Sequence, residues 1–294
     1  MRIVTRPDFD GVVCAVLLYE VHPIDDPILW IQPNEMQQDN VKIQAGDIIA
    51  NLPYHLKCTY WFDHHYSNQI DTPFKGSFQM LPSAAGVIYD HYKDRIGSDF
   101  KDLVDAANKI DSADLTLEEI QRPENHPYIL LSMTIFGRIE SEKKYWNHLV
   151  SLLRQHSIDR VLSDPQVDNR CHMVIEDNKA YKRYLQKHTI CSDQISITDF
   201  RKLNPVPDGN RFIVYSLFPD TIANVKFYYD GDKTIVKIGH SVINRGCNVN
   251  AGKLMAKFNG GGHRGAGACR FDKSLTEEYL PKIIKVLKEN HKND

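Results

Sequence analysis

The chain opens on a short apolar run at residues 2–5, breaks into the polar stretch "RPDFDG", and resumes as the almost continuously apolar segment 11–21. The first run has the length of a strand, and the second predicts a helix. "DPILWIQPN", "DIIANLP" and "TYWFDHH" predict further short buried strands, the last ending in polar residues. "SAAGVIYDHYKDRI" and "SDFKDLVDAANKI" carry apolar residues at three- and four-residue intervals and predict helices, as do "SEKKYWNHLVSLLRQH" and "IEDNKAYKRYLQKH". Strands interleaved with helices predict an α/β fold with a mostly parallel sheet.

The texture changes near residues 190–210, where "NPVPDGN" combines two prolines with Asp and Gly. This divides the chain into a domain over 1–190, a linker region over 191–210 and a smaller α/β domain over 211–294. In the last part "RFIVYSLF", "NVKFYYDGDKTIVKIGHS" and "AGACRF" read as strands, with Asp230-Gly231 marking a hairpin turn. A helix over "VNAGKLMAKF" runs into the glycine cluster "NGGGHRGAGA". The final helix opens on "SLTE", where Ser274 and Glu277 have capping-box spacing, with Pro281 close behind.

Composition narrows the class. At 294 residues, 42% hydrophobic and 25% charged, the chain can bury two cores, and disordered or fibrous classes are excluded. No apolar stretch reaches the length of a membrane span, and the N-terminus lacks the pattern of a signal peptide. Six scattered cysteines without a CxxC pair argue against a disulfide framework or a zinc ribbon, and a cytoplasmic location is expected. The net charge of -2 divides unevenly, because residues 195–294 hold 16 Lys+Arg against 10 Asp+Glu. An acidic first part suits cations and a basic last part suits an anionic ligand, or both are simply solvated faces. A nearly neutral molecule without an extended basic stripe does not predict a long nucleic acid partner.

Three polar clusters stand at the ends of apolar elements. Asp8 and Asp10 occupy the loop after the first strand, where ligands bind in α/β sheets. Their mutual repulsion means either an ordinary polar turn or a place for a cation. Asp63, His64 and His65 end a strand, and Asp111 and Asp114 follow a helix. Mixed carboxylate and imidazole donors suit Mn²⁺ and related divalent ions. In the glycine cluster, Gly260, Gly261 and Gly262 let backbone approach a phosphate, with His263, Arg264 and the nearby Arg245 as donors. The competing account of that cluster is a helix C-cap followed by a turn. His55 and Cys58 are read as a surface histidine and a buried thiol, with a zinc site as the alternative. Trp30, Trp61 and Phe62 sit in strand-like runs and are expected in the core.

"TRPDFDG", "FDHH", "KIDSAD" and "FNGGGHRGAGA", in that order, resemble the motifs of the DHH/DHHA1 phosphoesterase superfamily, which includes exopolyphosphatase-like and oligoribonuclease-like members. The resemblance implies an α/β DHH catalytic domain, a DHHA1 substrate-binding domain and a site for two Mn²⁺ ions, with Mg²⁺ possible. It implies Asp8, Asp10, His64 and Asp111 as metal ligands, with Asp63 and His65 joining His64 in catalysis. It further implies Arg245, Gly261, Gly262, His263 and Arg264 as substrate contacts. Asn51 stands where the family's second motif carries an aspartate, with Asp47 four residues earlier, and Val4 and Arg6 stand where members often carry a histidine. These departures leave one of the two metal positions weak or empty. The function implied is metal-dependent hydrolysis of phosphodiester or phosphoanhydride bonds in a small anionic substrate: a short oligonucleotide, a cyclic dinucleotide or polyphosphate. The alternative is a one-metal or metal-free member that binds a nucleotide or phosphate ligand. The sequence leaves oligomeric state open.

Overall fold

The computed structural model describes residues 1–37, 41–136 and 140–293. Five short strands form an all-parallel sheet: β1 (Arg2–Thr5), β2 (Leu29–Trp30), β3 (Asp47–Ala50), β4 (Tyr60–Asp63) and β5 (Gly76–Phe78). Their order is β2-β1-β3-β4-β5. Thr5 pairs with Ala50 and Ala50 with Phe62, so these strands end along one edge. The chain builds outward from β1 to one side and then from β3 to the other. That reversal opens a crevice at the carboxyl ends of β1 and β3.

Ile3, Val4, Ile48, Ile49, Trp61 and Phe62 are buried, and Trp30 joins them as expected. The Phe9–Val21 helix is apolar nearly all round because nearly all of it is buried. At the opposite, amino-terminal edge, Asp47 is fully buried and accepts two hydrogen bonds from Arg2, 2.8 Å from Nε and 2.7 Å from Nη2. Asp47 is therefore committed to a structural ion pair, at the far end of the strand from Asn51.

The chain divides into two compact units, Met1–Asp114 with Pro123–His172, and Leu115–Arg122 with Met173–Asp294. The second unit holds a mixed sheet of β6 (Thr189–Ser192), β7 (Ile195–Asp199), β8 (Ala223–Asp230), β9 (Lys233–His240), β10 (Gly261–His263) and β11 (Ala266–Asp272). Its order is β10-β11-β9-β8-β7-β6, antiparallel except between β7 and β8. Val225, Phe227, Val236 and Ile238 of its central hairpin share a core with Leu254, Met255, Ile283 and Leu287 of the Ala251–Ala256 and Thr276–Glu289 helices. The expected hairpin forms, but its two-residue loop is Gly231-Asp232, with Gly231 at φ 60° and Asp230 still in β8, paired with Lys233.

Two local expectations are corrected. "RFIVYSLF" contains a helix, Ile213–Leu217, and not a strand, because a short apolar run carries no period to tell one from the other. Ser274 does not cap the last helix. Asp272 caps a turn at Lys273–Leu275 by accepting the Ser274 amide at 3.0 Å, and the helix follows from Thr276 with Pro281 inside it. Among the described residues no helix is long and apolar enough to cross a membrane.

Candidate metal centre

The loop after β1 is shaped by its glycine. A Cβ on Gly11 would lie 1.9 Å from the carbonyl oxygen of Arg6, so only glycine lets the helix start this close to the strand. Asp8 is the N-cap of that helix, and its Oδ1 accepts the Gly11 amide at 2.9 Å. Asp10, in the first turn, is buried. Its Oδ2 and Oδ1 accept the amides of Ala84 and Ala85 at 2.9 and 2.8 Å, the first turn of the Ala84–His91 helix. Ser83 caps the same helix by accepting the Gly86 amide.

β4 delivers Asp63, His64 and His65 to the carboxyl edge. Asp63 is fully buried and satisfied within the chain: Oδ1 accepts the His64 amide at 2.9 Å and His65 Nδ1 at 2.7 Å, and Oδ2 accepts Asn68 Nδ2 at 2.7 Å. These bonds fix the His65 ring and the start of the loop that follows β4. His64 Nδ1 lies 3.0 Å from the carbonyl oxygen of Leu81, which can only accept, so the ring proton sits on Nδ1 and the lone pair on Nε2. That Nε2 is buried without a hydrogen-bond partner. It lies 3.3 Å from Asp111 Oδ2 and 4.0 Å from Asp10 Oδ2. Asp111 is brought there as the last residue of the Lys101–Asp111 helix.

Asp10, His64 and Asp111 thus present ligand atoms within 4.8 Å of one another. A lone pair facing two carboxylates is repulsive unless something positive lies between them. The donor set fits a hard or borderline divalent ion such as Mn²⁺ or Mg²⁺. The electrostatics agree in direction. Burial, with the charges of Asp111 and Asp8, raises the Asp10 carboxyl well above its ordinary value. Burial pushes Asp8 up to about 6, opposed by Arg6 and assisted by Asp111. Burial and the neighbouring His65 hold His64 low, in its neutral, ligating form. His65 is raised, burial being outweighed by the hydrogen bond and charge of Asp63.

Asp8 stands outside that group. Its Oδ1 also accepts Asn51 Nδ2 at 3.0 Å, and its Oδ2 pairs with Arg6 Nε at 2.9 Å. Asn51 follows β3 in the left-handed region, φ 57°, a conformation asparagine tolerates, and its Oδ1 is buried with no partner. Asp114 is exposed and outside the group, and no cluster of ligand atoms among the described residues unites His55 with Cys58, whose thiol is raised by burial. The Leu81 carbonyl, the Ala84 and Ala85 amides and Asn68 are parts of the site that the sequence reading missed.

The second unit carries the other sequence-selected residues. Gly261, Gly262 and His263 form β10, and Arg264-Gly265 is its turn into β11. Gly260 and Gly262 are explained by packing: Cβ atoms there would meet the Ala268 and Ala266 carbonyl oxygens at 2.2 and 2.3 Å, and Gly262 has φ 145°. Gly261 has open space around it. His263, Arg264 and Arg245 are exposed, with Arg264 Nη2 donating to Asn248 O at 3.3 Å and Arg245 Nε to Val242 O at 3.3 Å.

No protein-family model matches the chain, and no curated protein does. Among solved structures it is similar to PggH, a pGpG-specific phosphodiesterase from Vibrio cholerae, at 29% identity over 99% of both chains with a TM-score of 0.86. An exopolyphosphatase-related protein from Bacteroides fragilis matches at 10% identity, covering 98% of this chain and 92% of that one, with a TM-score of 0.58. RecJ from Thermus thermophilus, in complex with Mn²⁺, matches at 14% identity over 99% of this chain and 52% of that one, with a TM-score of 0.59. The last two report the fold alone. In the order of its motifs and its end-to-end likeness to PggH, the chain is similar to the DHH phosphoesterases.

Proposed function

We propose that the protein is a metal-dependent phosphoesterase that hydrolyses a small phosphate-containing substrate, with a 5′-phosphorylated dinucleotide of the pGpG kind as its first candidate. The observation that carries this reading is the unpartnered Nε2 of His64 set between Asp10 and Asp111 at the carboxyl edge of the sheet. The full-length likeness to a pGpG-specific phosphodiesterase supports the choice of substrate over polyphosphate.

In this reading Asp10, His64 and Asp111 hold the ion, Mn²⁺ or Mg²⁺. A divalent ion there supplies positive charge to a phosphoryl oxygen and makes water more acidic. Hydrolysis joins a water oxygen to phosphorus, breaks the ester P–O bond and leaves a proton on the departing oxygen. His65, its Nδ1 tied to Asp63 and its ring centroid 4.2 Å from that of His64, offers Nε2 to a phosphate oxygen or to that leaving group. Asp63 positions His65. Leu81, Ala84 and Ala85 fix the ligating side chains before any ion arrives, so binding loses little to reorganisation. The first unit is the metal-binding catalytic domain and the second the substrate-binding one, where Arg245, Gly261, Gly262, His263 and Arg264 bind phosphate in a molecule with no other strong pull on nucleic acid. Its six unpaired cysteines suit a reducing cytoplasm.

The test is direct. Purified protein with added MnCl₂ should release mononucleotide from pGpG faster than from longer RNA, followed by chromatography, and should release little phosphate from polyphosphate. Faster degradation of long single strands would overturn the substrate assignment. No turnover of any of the three with the ion bound would overturn the enzymatic reading.

A further inference from the structure

The two halves of the acidic centre differ in how they are satisfied. On one side, Asp10, His64 and Asp111 face one another with a buried, unpartnered lone pair among them. On the other, both oxygens of Asp8 are already served by the chain: Oδ1 by the Gly11 amide and Asn51 Nδ2, and Oδ2 by the Arg6 guanidinium at 2.9 Å. The charge of Asp8 is matched by a covalently attached cation. Arg6 and Asn51 act together here, since Arg6 pairs its charge with the same carboxylate to which Asn51 donates an N–H, and neither brings a negative charge. An amide nitrogen and a guanidinium cannot ligate a metal ion, and the one unpartnered atom on this side, the buried Oδ1 of Asn51, is a neutral oxygen where an aspartate would bring a charge.

We propose that the centre is mononuclear: one divalent ion at Asp10, His64 and Asp111, with Arg6 as a fixed protein cation at Asp8, excluding a second ion and serving in its stead. Arg6 pairs with Asp8 through Nε, its side chain is 37% exposed, and its Nη atoms find no partner among the described residues. They are left for a substrate phosphate oxygen, the planar geometry at which arginine is strongest. Arg6 thereby becomes a substrate-contacting residue of a centre with a single metal ion. This inference rests on the reading that the centre takes an ion at all.

The experiment is titration of metal-stripped full-length protein with Mn²⁺ by calorimetry, with electron paramagnetic resonance of the loaded sample. One ion per chain, with the spectrum of an isolated Mn²⁺, is expected. In the Arg6→Gln/Asn51→Asp double variant a second ion per chain and an exchange-coupled spectrum are expected. Arg6→Lys, which keeps the charge, should remain at one ion, and circular dichroism checks that each variant is folded. Arg6→Gln alone, relieved of repulsion from a fixed cation, should bind its ion about three- to tenfold tighter. Two ions in the wild type would overturn the proposal, and so would a folded double variant that stays at one. Two ions together with dinucleotide hydrolysis would leave the phosphoesterase reading intact and remove only this one. One ion without hydrolysis would do the reverse, and no ion would remove both.

Discussion

The imidazole of His64 is held by the carbonyl of Leu81, 17 residues later in the chain, through a 3.0 Å hydrogen bond to Nδ1. That contact decides which ring nitrogen carries the proton and therefore which one faces Asp10 and Asp111. Replacing His64 by Ala should weaken Mn²⁺ binding by at least about 100-fold, since even partners of a ligand are worth 10- to 100-fold. Calorimetric affinity alongside a thermal melt reads this, and unchanged affinity would remove His64 from the ligand set.

Asp63 separates positioning from ligation. Asp63→Asn puts an amide against His64 N–H, His65 Nδ1 and Asn68 Nδ2, all donors. The expected cost is about 1–3 kcal/mol of stability, with turnover down roughly 10- to 100-fold as His65 loses its orientation. Mn²⁺ affinity should change much less. A denaturant series and steady-state kinetics on the same preparation distinguish the two effects.

Arg2→Ala leaves Asp47, fully buried, without its counter-charge. A buried pair broken on one side costs about 3–5 kcal/mol. The pair lies at the amino-terminal edge of the sheet, so the folded variant should bind Mn²⁺ as the wild type does. A loss of ion affinity at unchanged stability would contradict the placement.

The glycine cluster offers a contrast between neighbours. Ala at Gly262 meets the Ala266 carbonyl in a strained backbone and should fail to fold or melt far lower. Ala at Gly261 meets nothing within 4 Å and should change stability by no more than about 0.5 kcal/mol. If Gly261 contacts phosphate, Gly261→Ala raises KM roughly tenfold, the worth of one hydrogen bond. An unchanged KM would remove Gly261 from the phosphate contacts.

Acid should weaken the fold through His22. Burial, aided by the positive charges of Arg95, His91 and the N-terminus, lowers its pKa from 6.5. The unfolded chain therefore binds a proton that the folded one refuses, and stability present above pH 6.5 declines as pH falls toward the lowered folded value. His240, also lowered by burial, adds the same sign in the second unit. Melting temperatures across this range should slope downward into acid, and His22→Gln should flatten the slope.

Much of this was legible beforehand because polar residues interrupt apolar runs at the points that matter. Asp8 follows β1, Asp63 closes β4 and His64 comes just after it; short apolar runs bounded by polar residues were enough to put them at a sheet edge. The other half of the site is backbone. The Leu81 carbonyl and the Ala84 and Ala85 amides have no residue signature, since any side chain would supply the same groups. The Arg2–Asp47 pair joins positions 45 apart whose partnership exists only once β1 and β3 are in register. Gly260 and Gly262 looked like phosphate glycines, and their crowding against Ala268 and Ala266 appears only when β10 and β11 are paired. The segment 213–217 was misjudged for a plainer reason, being too short to display a helical period.

The Leu117–Gln121 helix interrupts the first unit's stretch of sequence but belongs to the second, where Gln121 Nε2 donates to Ser216 O at 3.3 Å. No single cut therefore separates the two bodies. A fragment ending at residue 172 would carry this helix away from its own core, baring Ile120, 1% exposed in the intact chain, to water. Dissecting the protein would take an excision with a splice across 114 and 123, and a simple truncation would yield a fragment with a sticky face that measures aggregation in place of chemistry.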